Sequence, residues 1–397
     1  MFNRPEKNGF DICIGNPPYI DSENMINLGL NWEREQLQDR YSTLSGNWDI
    51  YMAFLEFACV NSKIAAYITP DKWLSMPFGL KFREKFMISR LSSIVHCGSK
   101  VFNNATVDSI ITIFNVKPRN TSVYIFDKEK SVKMVTSENL SNLLTPYFID
   151  YLFSENKDLI VKINSIKTSL KDLNLICEDA CAIKDAYELV PYIYSNKKFD
   201  AEKEFKLINT GTIGHYQSLW DQKEIVYLKK ETKKPSIPYP VINKSDFESM
   251  GKTYKKRSYS PKIIFKSINI LDAFIDFDSE YIPGKATRVI CSKEINLLKY
   301  VCSLLNSKLI AFYIEIMFKS CSYCGGIKFT QDIINALPIP PATPTQQKPI
   351  IALVDQILEA KKTDPSADTS SIESKIDQLV YQLYSLTNDE IKIVEGK

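Results

Sequence analysis

The stretch that most constrains this chain is FDICIGNPPYI, Phe10 to Ile20. Two consecutive prolines remove two backbone donors and fix two φ angles, so neither a helix nor a central strand runs through them, and the loop is rigid. Just before them, Asp11-Ile12-Cys13-Ile14-Gly15 is short, apolar and partly β-branched. That pattern predicts a buried strand delivering Asn16 to its carboxyl end, where open α/β sheets bind ligands. A rigid loop of this kind suits chemistry on an exocyclic amine. An aromatic amine is a weak nucleophile because its lone pair is delocalised into the ring, and two acceptors gripping its two hydrogens localise that pair. Asn16 offers a side-chain oxygen and Pro17 its carbonyl, with Pro18 completing the turn. Tyr19 then offers a face on which a base lifted out of a duplex stacks, worth roughly 1–3 kcal/mol per base. A proline-rich turn after any strand is the competing reading of the tetrapeptide alone.

At 397 residues the chain has the length for two or three domains, each with its own core. Hydrophobic residues at 44% and charged residues at 24% are ordinary for a globular protein. No apolar run approaches the roughly 20 residues of a membrane span, and MFNRPEKNG has no signal-peptide core, so a cytoplasmic protein with no membrane partner is expected. Nine cysteines, an odd number without a regular framework, fit a reducing compartment. Cys321-Ser-Tyr-Cys324 and the Cys177/Cys181 pair have spacings that suit zinc. A structural site usually wants four ligands, however, and His96 and His215 are the only histidines, so ordinary thiols and no metal are expected.

The net charge of +3 hides a local asymmetry. Between Lys223 and Lys266 stand twelve basic residues against four acidic ones, a local +8 that leaves −5 for the rest. Lys229, Lys230, Lys233, Lys234, Lys252, Lys255, Lys256, Arg257 and Lys266 are the candidate DNA contacts, interleaved with Tyr227, Tyr239, Tyr254 and Tyr259, as on a polyanion-binding surface. A solvated lysine-rich face is the alternative.

Along the chain, a polar stretch follows the prolines to about Gly46. NWDIYMAFLEFACV then puts Ile50, Tyr51, Phe54, Leu55 and Ala58 on one helical face, with Asn47 as the expected cap. Ile64–Thr69, Leu91–His96 and Ser109–Phe114 read as strands, with a helix through Leu80 to Ile88. This order argues a mostly parallel sheet with one antiparallel member. The expected organisation is residues 1–120 as an α/β domain, 121–172 as a connector, 173–341 as an α+β domain, and 342–397 as C-terminal helices. The first of those helices carries Ile351, Val354, Ile357 and Leu358. The second is opened by a capping box at Ser370 to Glu373.

In this order the features resemble the adenine-N6 DNA methyltransferases with a TaqI-like specificity domain, including the related type II restriction-modification enzymes. The target-amine motif resembles FDICIGNPPY, its following helix NWDIYMAFLEFA, the next strand and turn AAYITPDKWL, and the second base-contacting loop GSKVFNNATVDSIITIF. The DNA-reading domain resembles FKLINTGTIGHYQSLW, PKIIFKSINI and FTQDIINALPIPP. The resemblance implies an α/β fold in which residues 1–120 are a partial methyltransferase catalytic domain, the distal half of a Rossmann-like methyltransferase sheet, followed by an α+β target-recognition domain and a helical segment. It implies that Asn16 and the Pro17 carbonyl hold the adenine amine beside the donor, that Tyr19 stacks on the flipped base, and that Phe102 closes on its edge. S-adenosylmethionine is the implied donor and double-stranded DNA the implied partner. The family's glycine-rich cofactor loop is not found before Asn16, where only Gly9 and Gly15 stand. The expectation is therefore a carboxyl-terminal portion that needs an upstream cofactor-binding half. Pro70-Asp71 is a nuclease half-motif without a matching Glu-x-Lys, and no nuclease is read.

Two other readings stay open. One is a DNA-binding specificity module without activity. The other is methyl transfer to RNA or to a protein glutamine, which the long basic region and the recognition-type domain disfavour. Neither the recognised DNA sequence nor the oligomeric state follows from the residues.

Overall fold

The first strand forms where it is expected, as β1 (Phe10–Gly15), but it lies at the edge of its sheet and is not buried. Phe10, Ile12 and Ile14 are 50%, 63% and 80% exposed, because β1 has one neighbour and little packed over its faces. The computed structural model describes residues 9–98, 101, 108–116, 118–126, 131–140, 148–228, 236–269, 271–323 and 326–397. It divides into two units, Met1–Ser165 with Ile316–Ser322, and Ile166–Glu315 with Tyr323–Lys397.

In the first unit β1 pairs in parallel with β2 (Ser62–Pro70). The sheet continues with β3 (Leu91–Gly98), β4 (Ser109–Phe114), β5 (Thr121–Phe126) and β6 (Val132–Glu138), in the order β1-β2-β4-β3-β5-β6. β4 runs antiparallel to both β2 and β3, which is the single reversed member expected among the first four strands. β5 is parallel to β3, and β6 is antiparallel to β5. The sheet thus extends into the segment expected to be a connector. β6 is a polar edge strand with Val132 and Met134 more than half exposed, so its sequence carries little of the apolar signal of a core strand.

The polar stretch after the prolines folds as two helices, α1 (Ser22–Asn27) and α2 (Asn31–Arg40), and the latter buries no residue. α3 (Ile50–Asn61) crosses back to β2 and buries Tyr51, Met52, Leu55, Ala58 and Cys59. Phe54, expected on the buried face, is 40% exposed. The cap is Asp49 and not Asn47, because residues 48–50 are held extended against the chain after the prolines and the helix starts later. The helix expected from Leu80 forms as a continuous run to Arg90, with a π-turn at Arg83–Met87. Trp48, Met52, Trp73, Phe82, Ile94 and Phe114 are fully buried in this unit. Such side chains stabilise a fold by roughly 1.5–3 kcal/mol each.

The second unit carries two four-stranded sheets. In one, Tyr281–Pro283, Glu204–Ile208, Pro240–Asn243 and Tyr194–Ser195 lie side by side; in the other, Ala273–Asp276, Lys262–Lys266, Thr287–Cys291 and Cys177–Asp179. The helices Pro344–Thr363 and Ser370–Leu383 belong to this same unit and bury Ile350, Val354, Ile357, Ile376, Val380 and Tyr381. The second helix is capped by Thr369, one residue before the expected box, with the Thr369 hydroxyl donating to Glu373. Among the described residues no single helix is long and apolar enough to cross a membrane.

Candidate active site and basic surface

Asn16, Pro17, Pro18 and Tyr19 leave the carboxyl end of β1 as an extended turn. Gly15 opposes Tyr67 across the parallel ladder, and a Cβ at Gly15 would lie 2.8 Å from the Tyr67 ring. The Tyr67 hydroxyl in turn meets Cys13 Sγ at 3.2 Å, so the aromatic ring holds the end of β1. Pro17 is buried while Asn16 and Pro18 are exposed, which turns the amide outward. The Tyr19 hydroxyl donates to Asn16 Oδ1 at 3.2 Å, and the Tyr19 ring meets buried Tyr51 edge-to-face at 6.0 Å. Burial, and secondarily the Asp49 carboxylate, push the Tyr19 phenol above its usual pKa.

Past Tyr19 the chain is anchored to the start of α3. Ile20 N–H donates to Asp49 Oδ1 at 2.9 Å, Ile50 N–H to the Ile20 carbonyl at 2.9 Å, and Ser22 N–H to the Trp48 carbonyl at 2.8 Å. Asn47, the expected cap, instead accepts from Ser22 Oγ at 2.8 Å. Burial pushes the Asp49 carboxyl up to about 6.

Three strand ends bring together a cluster that sequence reading missed. Asp71 follows β2, His96 lies in β3 and Asp108 precedes β4, with His96 Nε2 at 3.7 Å from Asp71 and 3.8 Å from Asp108. These residues are the donor types of a metal site. The imidazole is set for another role: Gly98 N–H donates to His96 Nδ1 at 3.2 Å, which leaves the ring proton on Nε2, facing the carboxylates. With its proton there, Nε2 has no lone pair for a cation, and it lies beyond hydrogen-bond distance of either carboxylate. Burial pushes Asp71 up to about 6, with Asp150 and Asp108 adding to the rise and His96 opposing it.

Phe102, expected to close on the base, lies outside the described residues, as do Lys229, Lys230, Lys233 and Lys234. The remaining basic candidates are less free than their count suggested. Arg257 pairs with Glu178, Lys255 with Glu248, and Lys266 with Asp272. Lys262, which contributed to the local charge, is fully buried against Asp276. Lys252 and Lys256 are exposed on the helix Lys252–Ser258 and take part in no ion pair among the described residues. Of the interleaved tyrosines, Tyr227 and Tyr254 are core residues whose hydroxyls donate to the Ala186 and Pro283 carbonyls, so they present no stacking face. All eight described cysteines are free.

Against known families, residues 1–102 match the Eco57I restriction-modification methylase and residues 194–339 match the TaqI-like C-terminal specificity domain. Two separate stretches of the chain are thus similar to restriction-modification families, one to a methylase and one to a specificity domain. It is 29% identical over 163 residues to the Escherichia coli type II restriction enzyme and methyltransferase RM.Eco57I, covering 40% of this chain and 16% of that protein. A putative type II restriction enzyme and methyltransferase of Methanocaldococcus jannaschii, RM.MjaORFECS2P, is 24% identical over 405 residues, covering 96% of this chain and 31% of that one. The chain therefore spans less than a third of either relative's length. Its fold is similar to that of the Type IIL restriction-modification enzyme MmeI, solved in complex with DNA. The TM-score is 0.51 at 12% identity, over 96% of this chain and 55% of that one.

Proposed function

We propose that this chain carries the target-base portion of an adenine-N6 DNA methyltransferase of a restriction-modification system. The reaction moves a methyl group from S-adenosylmethionine to the exocyclic amine of adenine in duplex DNA. The observation that carries the reading is the Asn16-Pro17-Pro18-Tyr19 turn at the end of β1, an outward amide one hydrogen bond from an aromatic ring. In this scheme Asn16 Oδ1 and the Pro17 carbonyl accept the two amine hydrogens, the base stacks on Tyr19, and Phe102 closes on its edge. The amine attacks through its lone pair and loses a proton after the methyl arrives, so no general base is required. When bound, S-adenosylmethionine supplies a methyl activated on a sulfonium. Among the described residues the turn offers amine acceptors and the open apolar flank of β1, which fits the donor only in part. We assign the remaining donor contacts to a cofactor-binding segment beside β1 and expect no transfer without it. Duplex affinity is assigned to the second unit, through Lys252, Lys256 and the lysines at 229–234.

A non-catalytic specificity module is the second reading. It is favoured by the Tyr19 hydroxyl occupying the acceptor that the amine would use. The test is transfer to adenine in duplex DNA by the chain supplied with a cofactor-binding segment, compared with its Asn16→Ala variant. Loss of transfer with DNA binding intact is expected. Undiminished transfer in the variant would overturn the mechanism, and DNA binding without any transfer in the unaltered chain would favour the module.

A further inference from the structure

We propose that Asp49 is a positioning residue for the amine-binding turn, tying the trailing end of that turn to the first turn of α3 through one carboxylate oxygen. The inference rests on the methyltransferase reading and deepens it.

An N-cap carboxylate ordinarily serves its own helix. Asp49 Oδ1 accepts from Tyr51 N–H at 3.4 Å, the local cap bond, and more closely from Ile20 N–H at 2.9 Å, a residue 29 positions earlier. Ile20 follows Tyr19 directly. Its carbonyl is fixed from the same side by Ile50 N–H at 2.9 Å, and the bridge between Asp21 and Asp49 continues the pairing. The turn is thus held at its front by the β1 ladder and at its rear by the start of α3, where Asp49 supplies the side-chain bond next to Tyr19 and the Ser22–Asn47 bond lies two residues further on. The same helix carries Tyr51, whose ring supports Tyr19. A shift of the Asp49 anchor would therefore move the amide, the carbonyl and the stacking ring as a set. Acceptors on a reacting amine must be held to within about 0.5 Å, and a displacement of about 1 Å costs on the order of 10²-fold in rate. The groups that face Asp49 are Asp21, Tyr19 and Tyr51, none of them cationic. Among the described residues no cation is paired with the carboxylate, so its bonds to Ile20 and Tyr51 are what account for its place.

The test compares Asp49→Asn, which keeps an oxygen for Ile20 N–H, with Asp49→Ala, which does not. In the chain supplied with its cofactor-binding segment, the Ala variant is expected to lose on the order of 10²-fold in kcat with KM for DNA unchanged. The Asn variant should stay within a few-fold of the unaltered protein. In the chain alone, the Ile20 amide should exchange its hydrogen faster in the Ala variant and not in the Asn variant. If the Ala variant unfolds globally, Asp49→Ser, which keeps the helix cap but not the reach to Ile20, takes its place with the same expected losses. Equal kcat in the Ala and unaltered proteins, an Asn variant as impaired as Ala, or an unchanged Ile20 exchange rate would each overturn the proposal. Absence of transfer in the unaltered protein would instead count against the methyltransferase reading, and the exchange measurement would still decide the anchor.

Discussion

Asp71 is a buried carboxylate whose cost is measurable. It is 5% exposed, the His96 ring is 3.7 Å away, and Asp108 and Asp150 stand close enough to oppose its charge. Burial, with those two carboxylates, raises it from 3.8 to about 6. A rise of roughly two units corresponds to about 3 kcal/mol of preference for the protonated form in the folded state. For an acid raised on folding, the native state keeps a proton that the unfolded chain releases. Stability therefore falls as pH rises from about 4 to about 6, and stays lower above that window. Asp71→Asn keeps the shape beside His96 but removes the ionisation. The variant should match the unaltered protein near pH 4 and exceed it by up to about 3 kcal/mol at pH 7.5. Urea unfolding followed by tryptophan fluorescence reports it, with Trp220 replaced by Phe so that the three remaining tryptophans, exposed Trp32 and buried Trp48 and Trp73, all belong to the first unit. A stability difference that is independent of pH, or a variant less stable at pH 7.5, would refute the reasoning.

Replacing exposed Lys252 and Lys256 by Glu should weaken duplex binding and reduce the slope of log affinity against log salt by about 2, read by fluorescence anisotropy across a salt series. Arg257→Glu should instead lower stability, because Arg257 is already engaged with Glu178. Gly15→Ala pushes a methyl against the Tyr67 ring and should cost about 1–3 kcal/mol in urea unfolding, partly restored by Tyr67→Leu.

The first four strands were legible because each is a short apolar run closed by proline, glycine or asparagine. β6 was not, since an exposed edge strand has no need of an apolar face. β1 is the converse case: Ile12 and Ile14 are a core strand's residues at an uncovered sheet edge, as the resemblance to the distal half of a larger sheet implies. The cap of α3 shifted from Asn47 to Asp49 through pairing with residues 20–22, a contact that no local pattern encodes. The Asn16 to Tyr19 turn could be read because prolines dictate backbone shape directly. Asp71, His96 and Asp108 could not be grouped, because only strand order brings residues so far apart in sequence to one sheet end. The basic stretch misled as a count: Lys262 and Arg257 spend their charge inside the unit, and two of its tyrosines fill the core.

The bond from the Tyr19 hydroxyl to Asn16 Oδ1 gives the resting turn a built-in stand-in for its guest. At 3.2 Å it is long for a hydroxyl donor, so exchanging it demands little, yet while it lasts the amide oxygen is not left bare. If the turn binds an aromatic amine as proposed, the incoming N–H takes up the amide oxygen through its second lone pair or in exchange for the phenol, and the released hydroxyl turns to water, because both groups stand at the surface. The resting bond would then set the approach of the two side chains without closing the turn to its ligand.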